Sequence, residues 1–164
     1  MANSFIVGDA KNKIIREFIK DDAIIKAIDP VDITLDNSEE LIGKYIFNFS
    51  QNPDTVHDVE TFITVCANIT NRHFANNRYV DAAIDIYIIS HENHMEVDNV
   101  PKVTENRNDY LARLIDNKLN GTRKIGIGKL ELTRNVEGSV QQNWMYRQLT
   151  FEVIDMNNAY CKRD

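Results

Sequence analysis

The chain has 164 residues and a mass of 18.9 kDa, with 43% hydrophobic residues, 27% charged residues, 6 glycines and 3 prolines. This excludes a disordered tail or a low-complexity linker, and a domain of this length buries about two-thirds of its unfolded surface without staples. A formal charge of -6 and a pI near 5.2 exclude a protein that grips nucleic acid through its overall field.

The longest apolar runs, such as Ile86-Tyr87-Ile88-Ile89, stop far short of the ~20 residues a membrane helix needs. The first residues lack a basic stretch followed by an apolar block, so no signal peptide and a cytosolic site of synthesis are expected. Cys66 and Cys161 lie far apart, too few for a disulfide framework or a zinc site. The 20 Ile and 19 Asn point to an AT-rich genome.

From Lys11 to Ile28, Ile14, Ile15, Phe18, Ile19, Ile24, Ile25 and Ile28 recur at three- and four-residue steps. That predicts one amphipathic helix, or two broken near Asp21-Asp22, with Asp9 as N-cap and Pro30 marking the exit. Residues 31–53 give a weaker pattern: Ser38-Glu39-Glu40-Leu41 suits a short helical turn, and residues 43–49 an extended or irregular stretch. Residues 61–70 alternate and are β-branched, and Val80, Ala82, Ile84, Ile86 and Ile88 alternate with Asp81, Ala83, Asp85 and Tyr87. These predict a hairpin with its turn over residues 71–77, one face toward a core and one wetter.

A second helix is predicted over Arg107 to Leu119, capped by Thr104 or Asn106 and stopped by Asn120-Gly121. Two strands follow, residues 127–134 and 144–154, with residues 135–139 as their turn. The order helix, hairpin, helix, hairpin predicts an α+β domain: a mainly antiparallel four-stranded sheet with two helices packed on one face. No repeat or composition shift divides the chain, so one domain over residues 1–164 is expected, with residues 156–164 as a tail.

The candidate chemistry dissolves on inspection. His91-Glu92-Asn93-His94 is one residue short of the metalloprotease pattern and follows a strand rather than sitting on a helix. Residues 121–129 resemble a phosphate loop but follow a helix, lead into a strand and lack the hydroxyl residue after the lysine. Pro53-Asp54 with Asp116-Asn117-Lys118 supplies the letters of a metal-dependent nuclease, yet Asp116 and Lys118 fall inside the second helix. Cys66 with His57 or His73 reads as packing rather than a thiol nucleophile, and Asp81 and Asp85 read as solvated. No catalytic residue, metal or cofactor is expected.

One resemblance does emerge. Glu40-Leu41-Ile42, Thr61-Phe62-Ile63, the run from Ile86 to His91, Leu119-Asn120-Gly121, Gly128-Lys129-Leu130 and Tyr146-Arg147-x-Leu149-x-Phe151 occur together in order. Over residues 38–155 this is similar to small neck proteins of long-tailed bacteriophages and prophages. The element order resembles the tail-terminator type, whose members form hexameric rings that cap the tail tube and join it to the head connector. The resemblance implies a structural virion protein of the neck, assembled in the host cytoplasm. It implies a homo-hexamer with the tail tube and connector or stopper proteins as partners, DNA as transiting cargo and no membrane. A head-tail adaptor or stopper of the same neck is the alternative, and a metal-dependent nuclease a distant one.

A ring subunit needs two complementary faces and exposed loops, and residues 71–77, 91–103 and 135–143 are the candidate loops. An acidic balance suits a channel that DNA passes without sticking. Arg147 stands on an otherwise apolar strand face, so a carboxylate partner is expected from Asp109, Asp116 or Glu131, the alternative being a bulge that frees it to solvent. Trp144 and Tyr146 beside it, with Asp85 and Tyr87 on the wetter face, complete the candidate interface residues.

Overall fold

The computed structural model describes residues 4–56, 59–72 and 79–156. Three α-helices, α1 (Ser4–Ile19), α2 (Asp22–Ile28) and α3 (Arg107–Leu119), pack with five strands: β1 (Ile46–Phe47), β2 (Thr61–Arg72), β3 (Tyr79–His91), β4 (Glu131–Gln141) and β5 (Trp144–Met156). The sheet order is β1-β2-β3-β5-β4, antiparallel throughout except that β1 runs parallel to β2. The class is α+β as expected, but the sheet is five-stranded and mixed rather than four-stranded, and the first helical run takes its two-helix alternative, broken near Asp21-Asp22, so three helices stand where the fold reading counted two.

Each difference has a local cause. The amphipathic run breaks because Asp21 turns extended and its carboxylate caps the amides of Ala23 and Ile24 at 3.0 and 3.4 Å. Asp9 is no cap, since α1 starts before it; it lies inside the helix and pairs with Lys13 one turn on at 2.7 Å. Strand β1 is two residues long, defined only by pairing Ile46 with Ile63 and Phe47 with Thr64, so it leaves no periodic trace. The segment before it is a 3-10 turn over Leu35–Leu41, kinked at Asn37, longer than the turn expected from residue 38.

The largest boundary error concerns residues 135–139, which are not a turn but the middle of β4. The reversal is at residues 142–143, where Asn143 takes φ 73. Gly138 looked like a turn residue for another reason: a Cβ there would lie 2.8 Å from the ring of Tyr146, which crosses it from β5. The expected turn over residues 71–77 begins in β2, and from residue 73 onward it lies outside the described residues, as do His57, His73, Cys161 and the tail from residue 157.

Strand β3 is central, and Ile84, Ile86 and Ile88 on its helix-facing side are at most 1% exposed. Register places them beside Ile63, Val65 and Ala67 of β2 and Leu149 and Phe151 of β5. Helix α1 packs on β2, α3 on β3 and β5, and α2 beside α3. Each fully buried isoleucine of this layer contributes about 1.5–3 kcal/mol. The opposite face is covered at one end by an aromatic row in which Phe47, Phe62 and Trp144 meet edge to face at 5.9 and 5.8 Å. No described helix is long and apolar enough to cross a membrane.

Candidate interaction site

The functional candidates gather where α3 begins and β3 and β5 meet the 91–106 segment. Asn106 caps α3, its Oδ1 accepting from the Asp109 amide at 2.9 Å while its Nδ2 donates to Asp109 Oδ2 at 2.8 Å. This fixes Asp109 against Arg147, whose Nη2 pairs with Asp109 Oδ1 and lies 3.0 Å from Glu137 Oε2. Arg147 Nη1 donates to Asn135 Oδ1 at 2.8 Å. Of the three partners expected, Asp109 is the one used. Glu131 instead pairs with Lys129 at 2.8 Å, which holds its carboxyl below the usual range, and Asp116 makes no ion pair among the described residues. The bulges that would have freed Arg147 occur in β4, between 132 and 134 and between 139 and 141, and the Arg147 side chain is 16% exposed.

A cleft of about 470 Å³ surrounds this cluster, with Met95, Asn108, Met145 and Tyr146 among its walls. A second groove of about 560 Å³ opens nearby, walled by Val31, Val56, Val59 and Trp144 and rimmed by Asp29 and Glu60. A buried polar chain runs between them. His94 Nδ1 meets Thr61 Oγ1 at 2.7 Å, Thr61 meets Ser90 Oγ at 2.9 Å, and Ser90 donates to Asn108 Oδ1 at 2.7 Å. Asn108 Nδ2 reaches the Met145 carbonyl at 3.2 Å, so every link has a partner and the start of α3 is held to the sheet.

Arg107, which the sequence did not single out, is the buried centre of this region at 1% exposure. Its Nε donates to the His94 carbonyl, Nη1 to the Ala27 carbonyl and Nη2 to the Glu96 carbonyl, each at 2.7 Å. Burial pulls its pKa down, opposed by Asp29, Asp98 and Glu60, and Asp29 lies 3.6 Å from Nη2. One guanidinium therefore ties the end of α2 and the 94–96 segment to α3, so that the stretch expected as a free loop is pinned at its base. Nothing in the sequence separates this arginine from a surface residue, because its acceptors are backbone carbonyls.

The remaining sequence candidates lie on the other face of the sheet. Asp85 accepts from Thr150 Oγ1 at 2.7 Å, Gln148 Nε2 at 3.0 Å and Asn68 Nδ2 at 3.2 Å, so it is bound in a network rather than merely solvated. Tyr87 and Tyr146 stack obliquely at 6.0 Å, and Trp144 stands edge-on to His91 at 5.3 Å. The structure thus separates Arg147, on the helix-facing side, from Asp85, Tyr87, Trp144 and Tyr146, whose ring lies over Gly138 on that other face.

The other motifs have structural partners. His91 Nδ1 accepts from the Asn93 amide at 3.2 Å, Asp54 Oδ2 accepts from Gln141 at 2.8 Å, and Lys118 pairs with Asp21 at 2.8 Å. Gly121 leaves α3 with φ 82, as a helix stop requires. No group of three or more metal-ligating side chains assembles among the described residues.

Burial raises the Cys66 thiol above 9.0, with Asp85 adding to the effect and Lys11 opposing it, and burial with Asp85 likewise raises Tyr87 above 10.0. Both groups are therefore protonated in the fold at pH values where an unfolded chain begins to ionise them. Their contribution to stability is complete below pH 9 and is lost as pH rises through the alkaline range. Thermal unfolding followed from pH 7 to 10.5 should show this decline, and Cys66→Ala should flatten it; an identical alkaline slope in that variant would contradict the assignment.

Residues 12–153 match the YomW family, and the chain belongs to that family. Among solved structures it is similar to a chain in the virion of a native gene transfer agent (GTA) particle, at 11% identity and a TM-score of 0.51, over 87% of this chain and 91% of that one. At that identity the likeness defines a shared fold. No curated protein matches.

Proposed function

We propose that this protein is a structural component of a phage or gene-transfer-agent virion, specifically a tail terminator. In this reading it forms a homo-hexameric ring in the neck, meets the tail tube on one side and head-connector proteins on the other, and lets DNA pass as cargo. The observation that carries the reading is the fold shared with a gene-transfer-agent virion chain across nearly the full length of both. Membership of YomW, a phage-associated family, supports it. A non-catalytic role accords with the engagement of His94, Asp54 and Lys118, the residues an enzyme reading would need, in pairs that hold the fold.

Light scattering behind a sizing column, at micromolar and tens-of-micromolar protein, tests this directly. A species near six subunits, or a mass that rises toward it with concentration, is expected. A chain that stays monomeric and also fails to sediment with preformed tail tubes would sink the reading.

A further inference from the structure

The two ends of α3 carry opposite charge. Its thirteen residues span about 20 Å, separating the 92–105 segment at its start from the 121–130 loop at its end. Residues 92–105 hold four carboxylates against Lys102 alone, whereas residues 118–134 hold five cations against Glu131 alone. At the acidic end Asp29 lies 3.6 Å from the buried Arg107, and Asp98 and Glu60 also bear on it, so three carboxylates outnumber the one guanidinium they face and leave a net negative field there. The groove walled by valines and Trp144 opens within that field, with Glu60 and Asp29 on its rim.

At the other end Arg123 and Lys124 are exposed, and neither pairs with a carboxylate among the described residues. Their loop is nonetheless rigidly based. Gly121 N donates to the Leu130 carbonyl at 2.7 Å and Leu130 N to the Thr122 carbonyl at 3.0 Å, while Ile125 and Ile127 are 2% and 5% exposed. Two exposed cations with no carboxylate partner among the described residues thus stand on a fixed support.

We propose that the Arg123-Lys124 loop of one copy docks in the Asp29/Glu60 groove of the next, forming the contact between subunits of the ring. The inference rests on the ring reading above and names its interface. The chemistry of the groove fits: valines take the aliphatic stems of Arg and Lys, the indole of Trp144 offers a π face, and the carboxylates meet the charged heads. Like ends repel, so the contact joins unlike ends. Such a heterologous contact propagates head to tail and closes a ring when its rotation divides the circle.

The test uses the full chain and two double variants, Arg123→Glu with Lys124→Glu to reverse the loop and Glu60→Lys with Asp29→Asn to make the groove positive, with near-ultraviolet circular dichroism confirming that each folds. The wild-type assembly should fall toward monomer between about 0.05 and 0.5 M NaCl. Each double variant alone should be monomeric, because its loop and groove then carry the same sign. Mixed in equal amounts they should recover the assembled mass, since each loop then faces a groove of opposite sign around an alternating ring. Should the wild type form rings while either variant does so equally well, or the mixture fail to recover, this interface is overturned and the ring reading stands. A wild-type chain that is monomeric at low salt overturns the interface as well, and its binding to tail tubes then decides the ring reading separately.

Discussion

Arg107→Met is expected to destabilise the fold by about 4 kcal/mol, on the order of 10 °C in Tm for a domain of this size. The loss comes from the groups left behind. Methionine keeps most of the volume but donates nothing, so the carbonyls of Ala27, His94 and Glu96, each now bonded at 2.7 Å, lose a charged donor together. Hydrogen bonds to charged groups are worth about 1.5–3 kcal/mol each, and partial hydration through the neighbouring groove keeps the total below their simple sum. Asp29 also loses its cation at 3.6 Å. Arg107→Lys should recover only part, because an ammonium cannot present three donors in the planes that these carbonyls require. Urea or thermal unfolding of the purified chain measures the loss, and a change below about 1 kcal/mol would show that the three-carbonyl clamp is not a stabilising element.

The same residue marks the limit of reading the site from sequence. Helix α3 was legible at both ends, because Tyr110, Leu111, Ile115 and Leu119 keep helical spacing and Asn106 and Gly121 are residues whose chemistry suits its boundaries. The strands β2, β3 and β5 were legible because one face is buried and register follows from that alternation. Strand β4 was only half legible. It is an edge strand with polar residues on both sides, and Gly138 suggested a turn although its role is to make room for Tyr146. Arg107 was illegible because local spacing carries no information about carbonyls that come from residues 27, 94 and 96. Arg147 is the middle case: its odd place on an apolar face was visible and Asp109 was among the partners foreseen, but Asn135 and Glu137 were hidden by the misplaced turn.

Arg147→Ala is expected to lower stability by about 2 kcal/mol, the second-largest effect among these substitutions. Its guanidinium spans three anchors, Asp109 on α3 and Asn135 and Glu137 on β4, so truncation releases the edge strand from the helix and leaves Asp109 beside an emptied cleft. Glu137 is 72% exposed and regains solvent readily, so most of the loss belongs to the Asp109 pair. A double-mutant cycle with Asp109→Asn should accordingly give a coupling of about 1–2 kcal/mol, while the cycle with Glu137→Gln should give less than about 0.5 kcal/mol. In the ring proposed above, the cleft also bears on assembly. If β4 must be held against α3 for subunits to meet, the Arg147→Ala chain should form fewer rings even at temperatures well below its own Tm. Native mass spectrometry under those conditions separates the roles: a hexamer population equal to wild type would confine Arg147 to the fold of the single subunit, and a depleted one would make the α3–β4 clamp part of the assembling surface.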